Sequence, residues 1–247
     1  DRPFFIHEQK NDRHIRSLFY QNDEKLFQTA KSSEKNNTLT IQDYGKNGIW
    51  HSIRNKLYLP DNGNGRITFN NQFPITNDVV KDSKNQFWIS SENGLGQVYN
   101  NAFATIPVSE LANVWSVIED KDDNIWFATY GNGMFIKSAG NDKIVSNKKG
   151  KALHYFAGSA RDKNGNLYFA SSLGLEIIDG KHSEFVWNNK SVFPVYYDEK
   201  KDQIIFGTIE GVGILNSKKQ ITYYGPKEGM HYNHYIQSMG QDKNGNY

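Results

Sequence analysis

The sequence predicts an all-β propeller of four-stranded antiparallel blades. One observation predicts it above all: an Asp-led polar turn, an aromatic or apolar strand ending in Ser or Thr, and a Gly turn recur along the chain. The copies read DSKNQFWISSENGL from Asp82, DKDDNIWFATYGNGM from Asp120, DKNGNLYFASSLGL from Asp162 and DEKKDQIIFGTIEGV from Asp198, and DKNGNY reopens the pattern at Asp242. Self-similarity at a spacing of roughly 40 residues is the mark of a solenoid, propeller or array. Composition agrees: aromatics make up 14% and Gly numbers 21, which suits many short strands joined by tight turns.

Aligned on the strand residue three before the Ser or Thr, the repeats place Trp88, Trp126, Tyr168 and Ile205 ahead of Ser91, Thr129, Ser171 and Thr208. Two fainter copies are read upstream, with Leu26 before Thr29 and Tyr58 before a GNG turn. Six blades and the start of a seventh follow, and a seven-bladed propeller incomplete in this chain is the expected whole. Residues 1–247 are read as one propeller domain, a fragment of a longer protein that stops inside a blade hairpin at Tyr247.

The clearest unit dictates its own strands. Val114 to Glu119 alternates as a half-buried strand, DKDDN turns the chain, and Ile125 to Thr129 returns. The YGNG turn supplies the positive φ that glycine tolerates, Met134 to Lys137 forms a third strand, and a weaker polar strand runs near Lys143 to Ser146. Four strands per unit describe a blade that buries its faces against two neighbours.

The recurrent residues read as structural. Each repeat Asp accepts hydrogen bonds from backbone N–H groups just ahead in an Asx turn, and each terminal Ser or Thr caps nearby backbone. DKDDN and DKNGN resemble the opening of a calcium loop, but position twelve falls on Gly131 and Leu173 where a bidentate Glu is needed. No metal or cofactor is expected.

Charge excludes one class of partner. With 29 basic and 27 acidic side chains interspersed, the formal net charge is +2, which gives no electrostatic footprint for nucleic acid. The absence of cysteine removes disulfides and thiolate chemistry. No apolar run approaches the roughly 20 residues of a membrane span, so a membrane is reached only through parts outside this chain. Any signal peptide is expected to have been removed before Asp1.

Catalytic patterns are missing from the sequence. His231 and His234, three apart in extended chain, point to opposite faces and do not share a metal. GxSxG, HExxH and a phosphate loop do not occur, and the Gly-rich strings at Asn62 to Gly65 and Gly131 to Gly133 lack the following Lys. Glu92 and Glu210 fall at equivalent points of different blades, the nearest approach to a carboxylate pair. The chain is therefore read as a non-enzyme. Asn36 and Asn189 satisfy a glycosylation pattern that short sequences meet by chance.

The order GMHYNHYIQSMGQDKNGNY from Gly229, and more completely VWSVIEDKDDNIWFATYGNGMF from Val114, resembles the repeat of two-component regulator propellers. The resemblance spans roughly Ile75 to Tyr247 well and Ile15 to Phe69 weakly. It implies the extracytoplasmic, periplasmic sensor region of a histidine kinase, often hybrid, of the kind common in Bacteroidetes. There such propellers precede an immunoglobulin-like domain, a membrane helix and a cytoplasmic kinase. It further implies a neighbouring propeller or immunoglobulin-like domain as partner and a homodimer. By resemblance, the full-length parent is a protein histidine kinase.

In a propeller, the loop entering each inner strand and the loop between second and third strands share a face. Entering loops are expected to present Asn113 and Trp115, His154 and Tyr155, Phe193 and Tyr196, and His231, Tyr232 and His234. The other loops present Asp61 and Asn62, Glu92 and Asn93, Tyr130 and Asn132, and Glu210. Flat aromatics beside carboxylates and amides suit an oligosaccharide, whose C–H faces stack while its hydroxyls hydrogen-bond. The candidate ligand-binding set is Glu92, Asn93, Trp115, Tyr130, Asn132, Tyr155, Tyr196, Glu210, Tyr232 and His234. Alternative functions are a lyase or hydrolase acting on polysaccharide and a cell-surface propeller that only docks proteins.

Overall fold

The computed structural model describes backbone strands alone at 18–21, 24–28, 39–43, 49–53, 56–58 and 66–68. It then describes residues 76–99, 102–106, 113–146, 155–180, 182–188 and 190–230, with residues 236, 239 and 247. Two compact units divide the chain: Asp1–Leu39 with Gly240–Tyr247, and Thr40–Met239. In the first unit, β1 (Leu18–Gln21) pairs antiparallel with β2 (Glu24–Gln28).

Among the described residues, five four-stranded sheets follow in chain order. The first holds β3 (Leu39–Asp43), β4 (Ile49–Ile53), β5 (Lys56–Tyr58) and β6 (Arg66–Thr68). The second holds β7 (Thr76–Lys81), β8 (Phe87–Ser91), β9 (Gly94–Tyr99) and β10 (Ala102–Ile106). The third holds β11 (Val114–Glu119), β12 (Ile125–Thr129), β13 (Met134–Lys137) and β14 (Ile144–Ser146). The fourth holds β15 (Phe156–Arg161), β16 (Leu167–Ser171), β17 (Gly174–Asp179) and β18 (His182–Trp187). The fifth holds β19 (Val192–Asp198), β20 (Gln203–Thr208), β21 (Val212–Asn216) and β22 (Ile221–Tyr224).

In the second to fifth sheets every strand runs antiparallel to its neighbour in a simple meander. Sheet meets sheet through the first strands, β7 against β11, β11 against β15 and β15 against β19. Inner strands side by side, with a four-stranded meander leading outward from each, are the blades of a propeller. The third blade matches its sequence-predicted strands throughout.

The core lies between blades, and the second strand of each blade shows why. Ile125 and Phe127 pack with Trp88, Leu95 and Val117 toward the preceding blade. Trp126 and Ala128 pack with Phe156, Leu167 and Phe169 toward the following one. A period of two on a strand buried on both faces sends alternate side chains to opposite neighbours. Tyr168 and Ala170 repeat the pattern against Ile204 and Phe206. Each large side chain buried this way is worth about 1.5–3 kcal/mol relative to exposure.

The turns hold the registers. Asp82 Oδ1 accepts the backbone N–H groups of Lys84 (2.9 Å) and Gln86 (2.8 Å), and Asp120 and Asp162 do the same two and four residues ahead. The left-handed position within each turn falls on Asn85, Asp123, Gly165 or Asp202, residue types that tolerate positive φ. These carboxylates are spent on the fold, and among the described residues no cluster of His, Asp or Glu could hold a metal ion.

The positions expected of Tyr58, Tyr196, Phe193 and Trp115 need correction, the last because Trp115 lies within β11 and not in the loop ahead of it. Tyr58, aligned with Trp88 from the sequence, lies on β5, a third strand, opposite His51 of β4. The second strand of the first blade instead carries Trp50, seven residues after Asp43, the interval that also separates Asp198 from Ile205. The longer turn hid the match. Tyr196 is not in an entering loop: it lies within β19, opposite Ile205, because that strand starts at Val192 and carries a bulge before Val195. Phe193 likewise belongs to the strand. Leu26 lies on β2, while the start of a further blade at Asp242 falls outside the described residues.

Candidate functional site on the loop face

The loops of one face are joined by a belt of backbone hydrogen bonds. The N–H of Asn113, ahead of β11, donates to the Glu92 carbonyl at 2.8 Å in the preceding blade, and Tyr130 N–H donates to the Asn113 carbonyl at 2.8 Å. Tyr130 forms an antiparallel bridge with Tyr155, whose carbonyl accepts the Ser172 N–H at 2.9 Å. Ser191 Oγ continues the belt to the Ser172 carbonyl at 2.9 Å. Entering loops and second-to-third loops therefore share a face, as the propeller reading requires.

Beneath the belt, the strand-end hydroxyls fix each loop. Thr129 Oγ1 donates to the Gly133 carbonyl at 2.7 Å and accepts the Asn132 N–H at 3.0 Å. Ser91, Ser171 and Thr208 make the corresponding pairs of bonds, and all four residues are buried. The residue after each hydroxyl, namely Glu92, Tyr130, Ser172 or Ile209, is thereby presented at the surface or just below it.

Three of the candidate aromatics meet here. Trp115 sits at the bulge between Val114 and Ser116, where β11 loses its one-to-one pairing with β12. Its indole N–H donates to Asn113 Oδ1 at 2.8 Å, and Asn113 itself takes the left-handed conformation at φ 58°. Trp115 stacks on Tyr130 with ring centres 5.3 Å apart and planes 28° apart. Tyr130 stacks in turn on Tyr155 at 4.1 Å and 27°. Tyr130 and Tyr155 remain 44% and 50% exposed, so this tier is open to solvent rather than part of the core.

The other candidates divide. Asn132 is exposed in the same loop as Tyr130, and Glu92 and Asn93 are exposed in the loop of the second blade, where Asn93 N–H is bound by Ser91 Oγ. Glu210 is exposed but its carboxylate pairs with Lys190, and that bond holds the Lys190 ammonium above its ordinary range. Tyr196 stands apart within β19. Tyr232 and His234, with His154, His231, Asp61 and Asn62, lie outside the described residues. Sequence reasoning passed over Leu173 and Ile209, both exposed on the loops of this face; an apolar residue in the Gly turn just past Ser171 and Thr208 was the available signal.

Fold and face together define a β-propeller with an aromatic tier among its connecting loops. Residues 110–131, which contain most of that tier's framework, match the family described as two component regulator propeller, and the chain carries that repeat. No curated protein matches the chain in sequence. Among solved structures, the chain is similar to an extracellular domain described as belonging to a hybrid two component system of B. thetaiotaomicron. The TM-score is 0.69 at 13% identity, over 97% of this chain and 37% of that one. A second extracellular domain from B. thetaiotaomicron, described as belonging to a one component system, gives 0.67 at 14% identity over 99% of this chain and 32% of that one. Virginiamycin B lyase from Staphylococcus aureus gives 0.58 at 13% identity over 77% of this chain and 74% of that one. The chain thus spans about a third of the two extracellular domains, and at these identities the likeness is one of fold. Among the described residues, no helix is long and apolar enough to cross a membrane.

Proposed function

We propose that this propeller is the ligand-sensing part of an extracytoplasmic receptor of the two-component type, and that it recognises a carbohydrate or glycan fragment on its loop face. The observation that carries the reading is the solvent-open tier of Trp115, Tyr130 and Tyr155. Stacked aromatic rings left exposed on hydrogen-bonded loops offer a flat apolar surface of the kind that marks a binding site, and a sugar's C–H face covers it while its hydroxyls stay wet. The regulator-propeller repeat at 110–131 and the likeness in fold to extracellular domains described as belonging to two component and one component systems support the receptor part.

In this reading the parent protein is a sensor histidine kinase, and the chain supplies recognition from the periplasmic side. A ligand that binds one arrangement of receptor domains better than another shifts the equilibrium between them; equal binding shifts nothing. A propeller held together by interblade packing moves as a body against a neighbouring propeller, an immunoglobulin-like domain or a second copy in a dimer. Thermal unfolding of the domain against a panel of oligosaccharides tests the proposal, because a ligand selective for the folded state raises the melting temperature. A flat response to every sugar would sink it.

A second reading, a lyase, is favoured by the likeness to virginiamycin B lyase. It predicts a chemically altered product when the isolated domain is incubated with a cyclic peptide or a polysaccharide. Recognition without turnover separates the two.

A further inference from the structure

We infer that the outer face of Tyr155 is the seat of a single pyranose ring, at the seam between the third and fourth blades, with Tyr130 and Trp115 stacked behind it as backing rather than as contacts. This rests on the carbohydrate reading above and gives the three aromatics different parts.

The stack has an order. Trp115 meets Tyr130, and Tyr130 meets Tyr155, so Tyr130 is the middle ring with a neighbour at 5.3 Å on one side and 4.1 Å on the other. A flat ligand cannot lie on a ring so occupied. Tyr155 ends the series: among the described residues its ring stacks on Tyr130 alone, at 4.1 Å, and the residue is 50% exposed.

The backing is fixed at both ends. Trp115 is held by its bond to Asn113, whose backbone also ties Glu92 to Tyr130. Tyr155 is held by its bridge to Tyr130 and by Ser172. Ring planes 27° and 28° apart therefore persist without ligand, and binding pays little to order them. Gly131 keeps the edge of the seat clear. A Cβ there would stand at an ordinary contact distance of 3.9 Å from Tyr155 Cε1, and it is the φ of +107° that disfavours a side chain.

The occupant follows from the surroundings. An apolar side chain of a protein partner needs a pocket that excludes water, whereas this ring is half exposed, and the loops that flank it carry the exposed Asn132 and the half-buried Ser172. A pyranose has an apolar C–H face and a hydroxylated edge, which match the ring and its border.

The 247-residue chain and its variants, titrated calorimetrically with neutral, acidic and amino oligosaccharides of known structure, test the assignment. For any oligosaccharide that binds, Tyr155→Ala is expected to weaken affinity about tenfold, while Tyr155→Phe and Trp115→Phe stay within about twofold. Melting curves of the unliganded variants check that each is folded, and Tyr155→Ser repeats the truncation with a polar residue should Tyr155→Ala fold poorly. Binding that survives both truncations would overturn the seat while leaving the carbohydrate reading intact. A larger loss from Trp115→Phe than from Tyr155→Ala would overturn the division into contact and backing. Failure of every oligosaccharide to bind the unaltered chain would overturn the reading under Proposed function, and the seat with it.

Discussion

The indole N–H of Trp126 donates to Asp120 Oδ2 at 2.8 Å. The same carboxylate binds the Asp122 and Asn124 backbone N–H groups and the Asn124 side-chain amide, so one residue shapes the turn and aims the aromatic at Phe169 of the next blade, 6.2 Å away. Asp82, Trp88 and Phe127 repeat the arrangement, with an indole bond of 2.8 Å and ring centres 5.7 Å apart. Asp120→Ala leaves several donors without their acceptor and is expected to cost about 2–4 kcal/mol in urea unfolding. Trp126→Phe keeps the packing and loses one bond, at about 1 kcal/mol.

Thr129 is buried and its hydroxyl closes the loop that carries Tyr130. Thr129→Val preserves shape while removing one of two donors to the Gly133 carbonyl, the Thr129 N–H staying at 3.0 Å, and the hydroxyl acceptor of the Asn132 N–H, so a loss of about 1–2 kcal/mol is expected. The same variant should also weaken oligosaccharide binding, because the loop it loosens supports the Tyr155 seat. Serine at this position, which Ser91 and Ser171 show to be equivalent, should restore both.

Gly174 has φ +135°, and a Cβ placed on it would lie 1.8 Å from the Trp187 carbonyl oxygen. Gly174→Ala must push the fourth blade's outer strand away, and is expected to destabilise by about 2–4 kcal/mol. Gly133→Ala, at φ +81° in open space, meets only the conformational penalty of about 1 kcal/mol. Comparing the two by chemical unfolding separates collision from backbone preference.

On the face opposite the loop belt, Lys163 of the fourth blade pairs with Asp202 of the fifth at 2.8 Å, and Tyr197 Oη–H donates to the same carboxylate at 2.9 Å. Those bonds, that of Lys163 first, hold the Asp202 carboxyl below its ordinary range, and the Asp202 bond holds Lys163 above its own. A depressed carboxyl contributes stability above its unfolded pKa and loses it as pH falls through the folded value. A raised ammonium contributes below its unfolded pKa and loses it as pH rises through the folded value. Asp202→Asn should therefore reduce stability slightly between about pH 5 and about pH 9, and the difference from the unaltered chain should vanish in strong acid. Both groups are solvent-facing, so added salt should shrink it as well. Melting temperatures across pH at two ionic strengths would show this.

How much could be read beforehand depended on whether a residue's task is local. The Asp turns, the strand-end hydroxyls and the third blade's four strands were legible because each is set by neighbours within a few positions, as Thr129 and Gly133 show. Trp50 was missed because a longer turn displaced it from the expected interval. Trp115, Tyr130 and Tyr155 were each named in advance, but their stacking depends on a bulge in β11 and on contact between two blades. Periodicity does not report either. Glu210 looked available in sequence and is occupied by Lys190 from the segment that precedes β19, a pairing no local pattern announces.

The alternation along β12, with Phe127 facing one neighbour and Trp126 the other, works like a reading frame. A single inserted residue within that strand would exchange every partner on both sides at once, so changes of chain length are tolerable only in the connections. Proteins of this architecture should accordingly grow by duplicating whole units and diversify by varying loops, leaving the loop face as the part freest to change.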